Sequence, residues 1–173
     1  MTRLPVLFAG ARQAGCVGLL ALGASGCEVL GVVAYDQPVA DLAAQLGLRS
    51  FGSIHDPGLR EVLSRAELLV CVHGREVIPE DLLHLPRSGG INVHPCLSAY
   101  KGADPVGRLL RDGNTRASVG VHRMNGQVDA GDVLVEEFAD VSGRRTVEEV
   151  YNTLYPLYAT ALIKAIRQVR AVP

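Results

Sequence analysis

The chain contains no tryptophan, few aromatic residues and four cysteines, Cys16, Cys27, Cys71 and Cys96, that form no C-x-x-C pair. Without metal-ligand or disulfide spacing, and with three of the four in apolar or small-residue segments, the cysteines read as reduced core thiols, and no metal is expected. Charge of one sign is missing too: 17 Lys+Arg stand against 18 Asp+Glu, with no basic run. The phosphate-neutralising footprint of a nucleic-acid binder is therefore absent, and no such partner is expected. The apolar stretch in MTRLPVLFAG is far too short to span a bilayer and lacks a signal peptide's layout, so the expected setting is cytoplasmic and away from membranes. Gly10 and Gly15 fall in G-x-x-x-x-G spacing with no following GK[ST], which supplies neither a dinucleotide nor a phosphate-loop fingerprint. Tyr35-Asp36 stands where a ribose-binding acid would stand, but without that fingerprint it carries little.

What is present is an alternation of apolar runs and helical patterns. At 173 residues the chain fits one domain, 1–173, and a fold of this size hides roughly 70% of the surface that its unfolded chain exposes. Strands are expected at 4–9, 28–35, 49–51 and 67–72, with helices at 13–23, 39–46 and 57–65 between them. Gly47 reads as a helix stop. Continuous hydrophobic strands alternating with helices predict a Rossmann-like α/β fold, a mostly parallel twisted sheet covered by helices on both faces.

The second half changes pattern. A strand ending at His94, with Pro95 as its stop, is followed by a helix at 104–111 and a turn at Asp112-Gly113-Asn114. Strands at 117–124 and 132–141 follow as a neighbouring pair. A long helix over 146–169 begins with Glu148 and Glu149, as the helix dipole favours, and contains Pro156, which is expected to kink or split it.

In Ile91-Asn92-Val93-His94 the period of two sends both polar side chains to one face at the carboxyl end of a strand. Chemistry in α/β sheets is usually found there. Asp129 and Asp132 flank Ala130-Gly131 in a loop whose bland reading is a solvated turn. Beside a histidine, however, an aspartate can fix the tautomer and stabilise the charged form. The trio suits acyl transfer: His94 moves a proton, Asn92 donates to a developing oxyanion, and Asp129 holds His94. Of the other histidines, His55 and His84 read as surface residues, while His73 and His122 lie near strand ends and can border the same cleft. Cys96, on the loop after Pro95, has no evident basic neighbour to activate it.

Asn92-Val93-His94-Pro95, then Tyr100-Lys101-Gly102, Arg111-Asp112-Gly113 and Val128-Asp129-Ala130-Gly131-Asp132 together resemble the folate-dependent formyltransferase family. The order and spacing agree from about Val70 to Val135. The resemblance implies transfer of a formyl group from 10-formyltetrahydrofolate to an amine, with Asn92, His94 and Asp129 as the catalytic trio. It further implies that Arg75, Glu76, Val77 and Ile78 form the loop whose backbone receives the pterin. Met124, Asn125, Gly126, Gln127 and Val128 would form the second wall of that pocket.

The departures bear on the acceptor. HPCLSAYKG is one residue shorter than the family's usual loop, and Ala9-Gly10-Ala11-Arg12 replaces the phosphate loop of the ribosylglycinamide enzymes. Neither the extra β domain of the tRNA enzymes after the last helix nor a regulatory domain before the first strand is expected. A small-molecule amine is the expected partner, an amino sugar or a specialised-metabolism amine, bound near Tyr100, Lys101 and Asp104. A homodimer stays open. Two alternatives also remain: a formyltetrahydrofolate hydrolase, and a folate- or nucleotide-binding module without turnover.

Overall fold

The computed structural model describes residues 3–171; Met1, Thr2, Val172 and Pro173, which the expected domain includes, lie outside the described residues. The elements run β1 (Leu4–Gly10), α1 (Arg12–Ala24), β2 (Cys27–Ala34), α2 (Gln37–Gln45), β3 (Ser50–Phe51), α3 (Leu59–Arg65) and β4 (Leu68–Val72). They continue as α4 (Glu80–Leu83), β5 (Gly90–Pro95), α5 (Pro105–Arg111), β6 (Arg116–Arg123), β7 (Val133–Asp140) and α6 (Val147–Ala171). The seven strands form one sheet in the order β3-β2-β1-β4-β5-β6-β7. β1 to β5 are parallel, and β6 and β7 add an antiparallel pair at one edge. The expected fold class is the observed one.

The two faces follow from the period of two along each central strand. Val6, Phe8, Leu68, Val70, Val72, Ile91 and Val93 pack with buried residues of α1, α5 and α6 on one face. Leu7, Ala9, Leu69 and Cys71 pack with Leu59, Leu63, Leu82 and Leu83 of α3 and α4 on the other. Asn92 and His94 alternate with Ile91 and Val93, so they point to the α3 and α4 side, where the sheet's carboxyl end opens into a cleft.

Three local expectations are corrected. α4 lies in a segment with no expected element, since a helix of four residues is too short to show a periodic signal. The strand does stop at Pro95, but Pro95 is its last residue, one beyond the expected end at His94, and lies opposite Val119 of β6. β4 ends opposite Val93, so the missing N–H of Pro95 has no ladder bond to that neighbour to lose. Pro156 does not split the final helix, which runs unbroken from Val147 to Ala171. Asn152, whose carbonyl Pro156 leaves without its helical donor, is exposed like Pro156 itself, and water can supply the partner.

No helix of the described residues is long and apolar enough to cross a membrane.

The exposed helix interior around Pro156 carries an avoidable backbone cost. Pro156→Ala restores the amide donor at a helical position and should stabilise the protein by about 1–3 kcal/mol, part of the gain being offset by a freer unfolded chain. Thermal denaturation followed by circular dichroism checks this; an unchanged or lower midpoint contradicts it.

Candidate active site

Strand register assembles the site. Asn92 lies opposite Cys71 of β4 on one side and His122 of β6 on the other, and His94 lies opposite Gly120. The β6–β7 ladder shifts register between Val121 and His122, a bulge of the kind that re-aims a side chain at the end of a strand. His122 is thereby buried beside Asn92.

Asp129 comes from the loop between β6 and β7 and is only 7% exposed. Its Oδ2 accepts from the Gly102 amide at 2.9 Å and meets His94 Nε2 at 3.1 Å. Its Oδ1 accepts from Asn92 Nδ2 at 3.4 Å and lies 3.3 Å from His122 Nε2. The ring of His122 is oriented from behind, because Nδ1 donates to the Arg123 carbonyl at 2.8 Å and leaves Nε2 turned to Asn92 and Asp129. Burial alone would raise the Asp129 carboxyl, but its contact with His122, the charge of His94 and the Gly102 N–H outweigh burial and hold it at about 2.

His94 faces two acceptors through Nε2, the Asp129 carboxylate and the Gly102 carbonyl at 3.2 Å. The proton of the neutral ring therefore sits on Nε2, and Nδ1 is an enclosed lone pair with no partner. Burial holds His94 below the ordinary histidine range despite Asp129, which favours the neutral base.

The trio opens into a cleft of about 630 Å³. Every residue expected to wall the pterin pocket lines it: Arg75, Glu76, Val77 and Ile78 on one side, Met124 to Val128 on the other. Val77 and Val128 are 76% and 70% exposed, so the facing loops present aliphatic surface to whatever enters. The polar side chains of the first loop are held by protein partners. Glu76 accepts from Ser53 Oγ at 2.6 Å and from the Ile54 amide at 2.9 Å, and Arg75 donates to the Tyr35 carbonyl at 3.2 Å. The loop's backbone is what remains to meet a ligand.

Five described non-glycine residues have left-handed backbone: Arg12, His73, Cys96, Asp104 and Asp129. All but Cys96 line this cleft. Such residues cost about 1–3 kcal/mol each, and their clustering at one place is a mark of function.

The acceptor expectations fare unevenly. Asp104 lines the cleft, but its carboxylate pairs with Arg111 at 3.0 Å. Tyr100 and Lys101 are not among the lining residues. Tyr100 lies under the Arg108 guanidinium of α5, and Arg108 also holds the backbone carbonyl of Lys101, which is exposed. His73 and His122, expected near strand ends at the border of the cleft, line it, and Arg12 and Tyr151 line it outside the expected set. For His122 the signal was available, since a β5–β6 antiparallel pair places a β6 residue opposite Asn92. Asp36 proves structural: it caps α2 at Val39, accepts from the Arg12 amide at 2.7 Å and pairs with Arg75. Burial raises the Cys96 thiol, which argues against a nucleophile there.

Residues 24–166 match the family model described as Formyl transferase. The chain is similar to the methionyl-tRNA formyltransferase of Chromohalobacter salexigens, 31% identical over 94% of this chain and 55% of that protein. It spans about half the length of the curated relatives it matches. Among solved structures it resembles phosphoribosylglycinamide formyltransferase from Anaplasma phagocytophilum, with a TM-score of 0.82 and 18% identity over 98% of this chain and 88% of that one. It also resembles a formyltetrahydrofolate deformylase from Pseudomonas syringae pv. tomato, with a TM-score of 0.80 and 18% identity over 98% and 62%. At these identities the likeness establishes the fold.

A depressed carboxyl pKa is also a statement about stability. Asp129 falls from 3.8 to about 2 on folding, so the ionised group stabilises the protein above pH 3.8, and this contribution is lost as pH falls through about 2. Acid destabilisation between those values should be steeper in the wild type than in Asp129→Asn, measured by denaturant unfolding at a series of pH values. Equal slopes contradict the assignment.

Proposed function

The chain belongs to the formyl transferase family, and from that premise we propose that it moves a formyl group from 10-formyltetrahydrofolate to a small-molecule amine, with Asn92, His94 and Asp129 as the catalytic residues of one domain. The observation that carries the reading is the single Asp129 carboxylate in contact with both Asn92 and His94 at the base of the cleft. The folate supplies an activated formyl carbon. The cleft suits a flat heteroaromatic ring, with aliphatic Val77 and Val128 at its rim and loop backbone available for hydrogen bonds.

Within this reading the roles divide by geometry. His94 takes the proton of the attacking amine and returns it to the departing folate nitrogen, while Asp129 and the Gly102 carbonyl hold its ring through Nε2. Asn92, whose amide nitrogen makes long contacts of 3.4 Å to Asp129 and 3.3 Å to His122, turns one N–H from them to the formyl oxygen as it gains charge. His122 orients Asn92 and Asp129. A small acceptor is favoured by the net charge of −1, which offers no basic surface to a nucleic acid.

The test is incubation with 10-formyltetrahydrofolate and a panel of amines that includes methionyl-tRNA, following donor loss by absorbance and product by mass spectrometry. A formylated small amine supports the proposal. Formate released at the same rate without any amine makes the protein a hydrolase. Asn92→Ala should lower turnover on the order of 10²–10³ and His94→Ala about 10²–10⁴, with Cys96→Ser fully active. Tetrahydrofolate should raise the melting temperature and a dinucleotide should not; the reverse result, or an active His94→Ala, removes the mechanism.

A further inference from the structure

The cleft has a third wall, made by Arg12 at the start of α1, Tyr151 on α6 and His73 just after β4. His73 has a left-handed backbone, φ 54°, and its ring meets the aromatic face of α6: Tyr151 edge-on at 5.5 Å and Tyr158 at 5.8 Å. Tyr158 is fully buried, and the one partner of its hydroxyl among the described residues is His73 Nε2 at 2.8 Å. A buried phenol hydrogen requires an acceptor. Tyr158 therefore donates to Nε2, and the ring proton of His73 is left on Nδ1. That nitrogen has no partner among the described residues and is not enclosed, and His73 lines the cleft. Burial, reinforced by the nearby Arg12 guanidinium, holds His73 at about 4, so at neutral pH it offers an N–H and no charge.

Several other polar groups on the lining are already engaged, while the Arg12 guanidinium and the Tyr151 hydroxyl on the same wall have no side-chain partner among the described residues. Asp104 has Arg111, Arg75 has Asp36, Glu76 has Ser53, and Asp129 has its histidines. His73 Nδ1–H is a donor of fixed direction beside an aromatic wall.

We propose that His73, fixed as the Nδ1–H tautomer by Tyr158, is the specificity-determining residue for the acceptor, donating a hydrogen bond to a hydroxyl or carbonyl oxygen on the body of the amine. The inference rests on the proposed function and narrows its acceptor to oxygen-bearing amines. A site with a fixed donor discriminates strongly against an analogue that leaves the donor unpaired. A hydroxylated ring amine satisfies both parts of this wall, with oxygen to Nδ1 and ring carbons to Tyr151.

The test uses protein labelled at its histidines, with glucosamine as the probe and cyclohexylamine, a six-membered ring amine without hydroxyls, as its control. Carbon and nitrogen shifts of the free protein should show His73 as the neutral Nδ1–H tautomer, and Tyr158→Phe should release it toward Nε2–H. Glucosamine should shift the His73 resonances saturably and cyclohexylamine should not. His73→Ala should weaken glucosamine binding about tenfold or more, and His73→Asn, whose amide N–H replaces Nδ1–H, should restore most of it. Tetrahydrofolate binding should be unchanged in all three variants.

An Nε2–H tautomer in the wild type, equal responses to the two amines, or wild-type glucosamine binding in His73→Ala overturns the proposal. Failure of tetrahydrofolate to bind the wild type would instead sink the proposed function, so the two readings fail separately. If His73→Ala does not fold, the wild-type tautomer and the paired titrations still decide.

Discussion

One buried carboxylate organises this molecule's working end. Asp129 meets the end of β5 through Asn92 and His94, the end of β6 through His122, and the loop after β5 through the Gly102 amide. An ionised group placed this deep is tolerated only when hydrogen-bonded and paired, so the four contacts are conditions on one another as much as on Asp129. The turn that delivers it is equally constrained: a Cβ at Gly131 would lie 1.8 Å from the Arg123 carbonyl oxygen, so no side chain fits there. The loop after β5 is tied down near its start, where Glu136 of β7 accepts from the Ser98 amide at 3.1 Å as well as from Ser118 Oγ of β6 at 2.6 Å. Strand pairing, loop anchoring and electrostatics thus converge on one position.

The strain has the same address. Left-handed backbone at Arg12, His73, Asp104 and Asp129 is held by the packed sheet behind it, and each turn aims a side chain or an amide into the cleft. A rigid scaffold that fixes donors before a substrate arrives is what electrostatic stabilisation of a charged transition state needs. The loop at 74–79 is fixed in the same way, since Arg75 and Glu76 are bonded to protein partners while aliphatic Val77 lines the cleft exposed.

The strands were legible because they are continuous apolar runs, and the sidedness of Asn92 and His94 because a strand has period two. Nearness across strands was not legible in the same way. His122 was legible as a residue near the end of its strand, but its contact with Asn92 depends on β5–β6 register and a bulge that leaves no mark in the local sequence. Tyr100 shows the converse: adjacency to Gly102 along the chain suggested a place in the pocket, but its ring lies under Arg108 of α5. Asp36 looked like a ligand-binding acid by position, yet its oxygens are taken by the Arg12 amide, the α2 cap and Arg75. Sequence spacing identified residues that could meet, and packing decided which of them do.

The central claim is that the Asp129 assembly presents Asn92 and His94 to a folate-borne formyl group. A crystal structure with a stable analogue of the formyl donor tests it most directly. The account predicts the pterin between the loops at 74–79 and 124–128, with the formyl oxygen about 3 Å from the Asn92 amide nitrogen and the formyl carbon on the side of His94. A pterin bound elsewhere, or a formyl group out of reach of both residues, would contradict it.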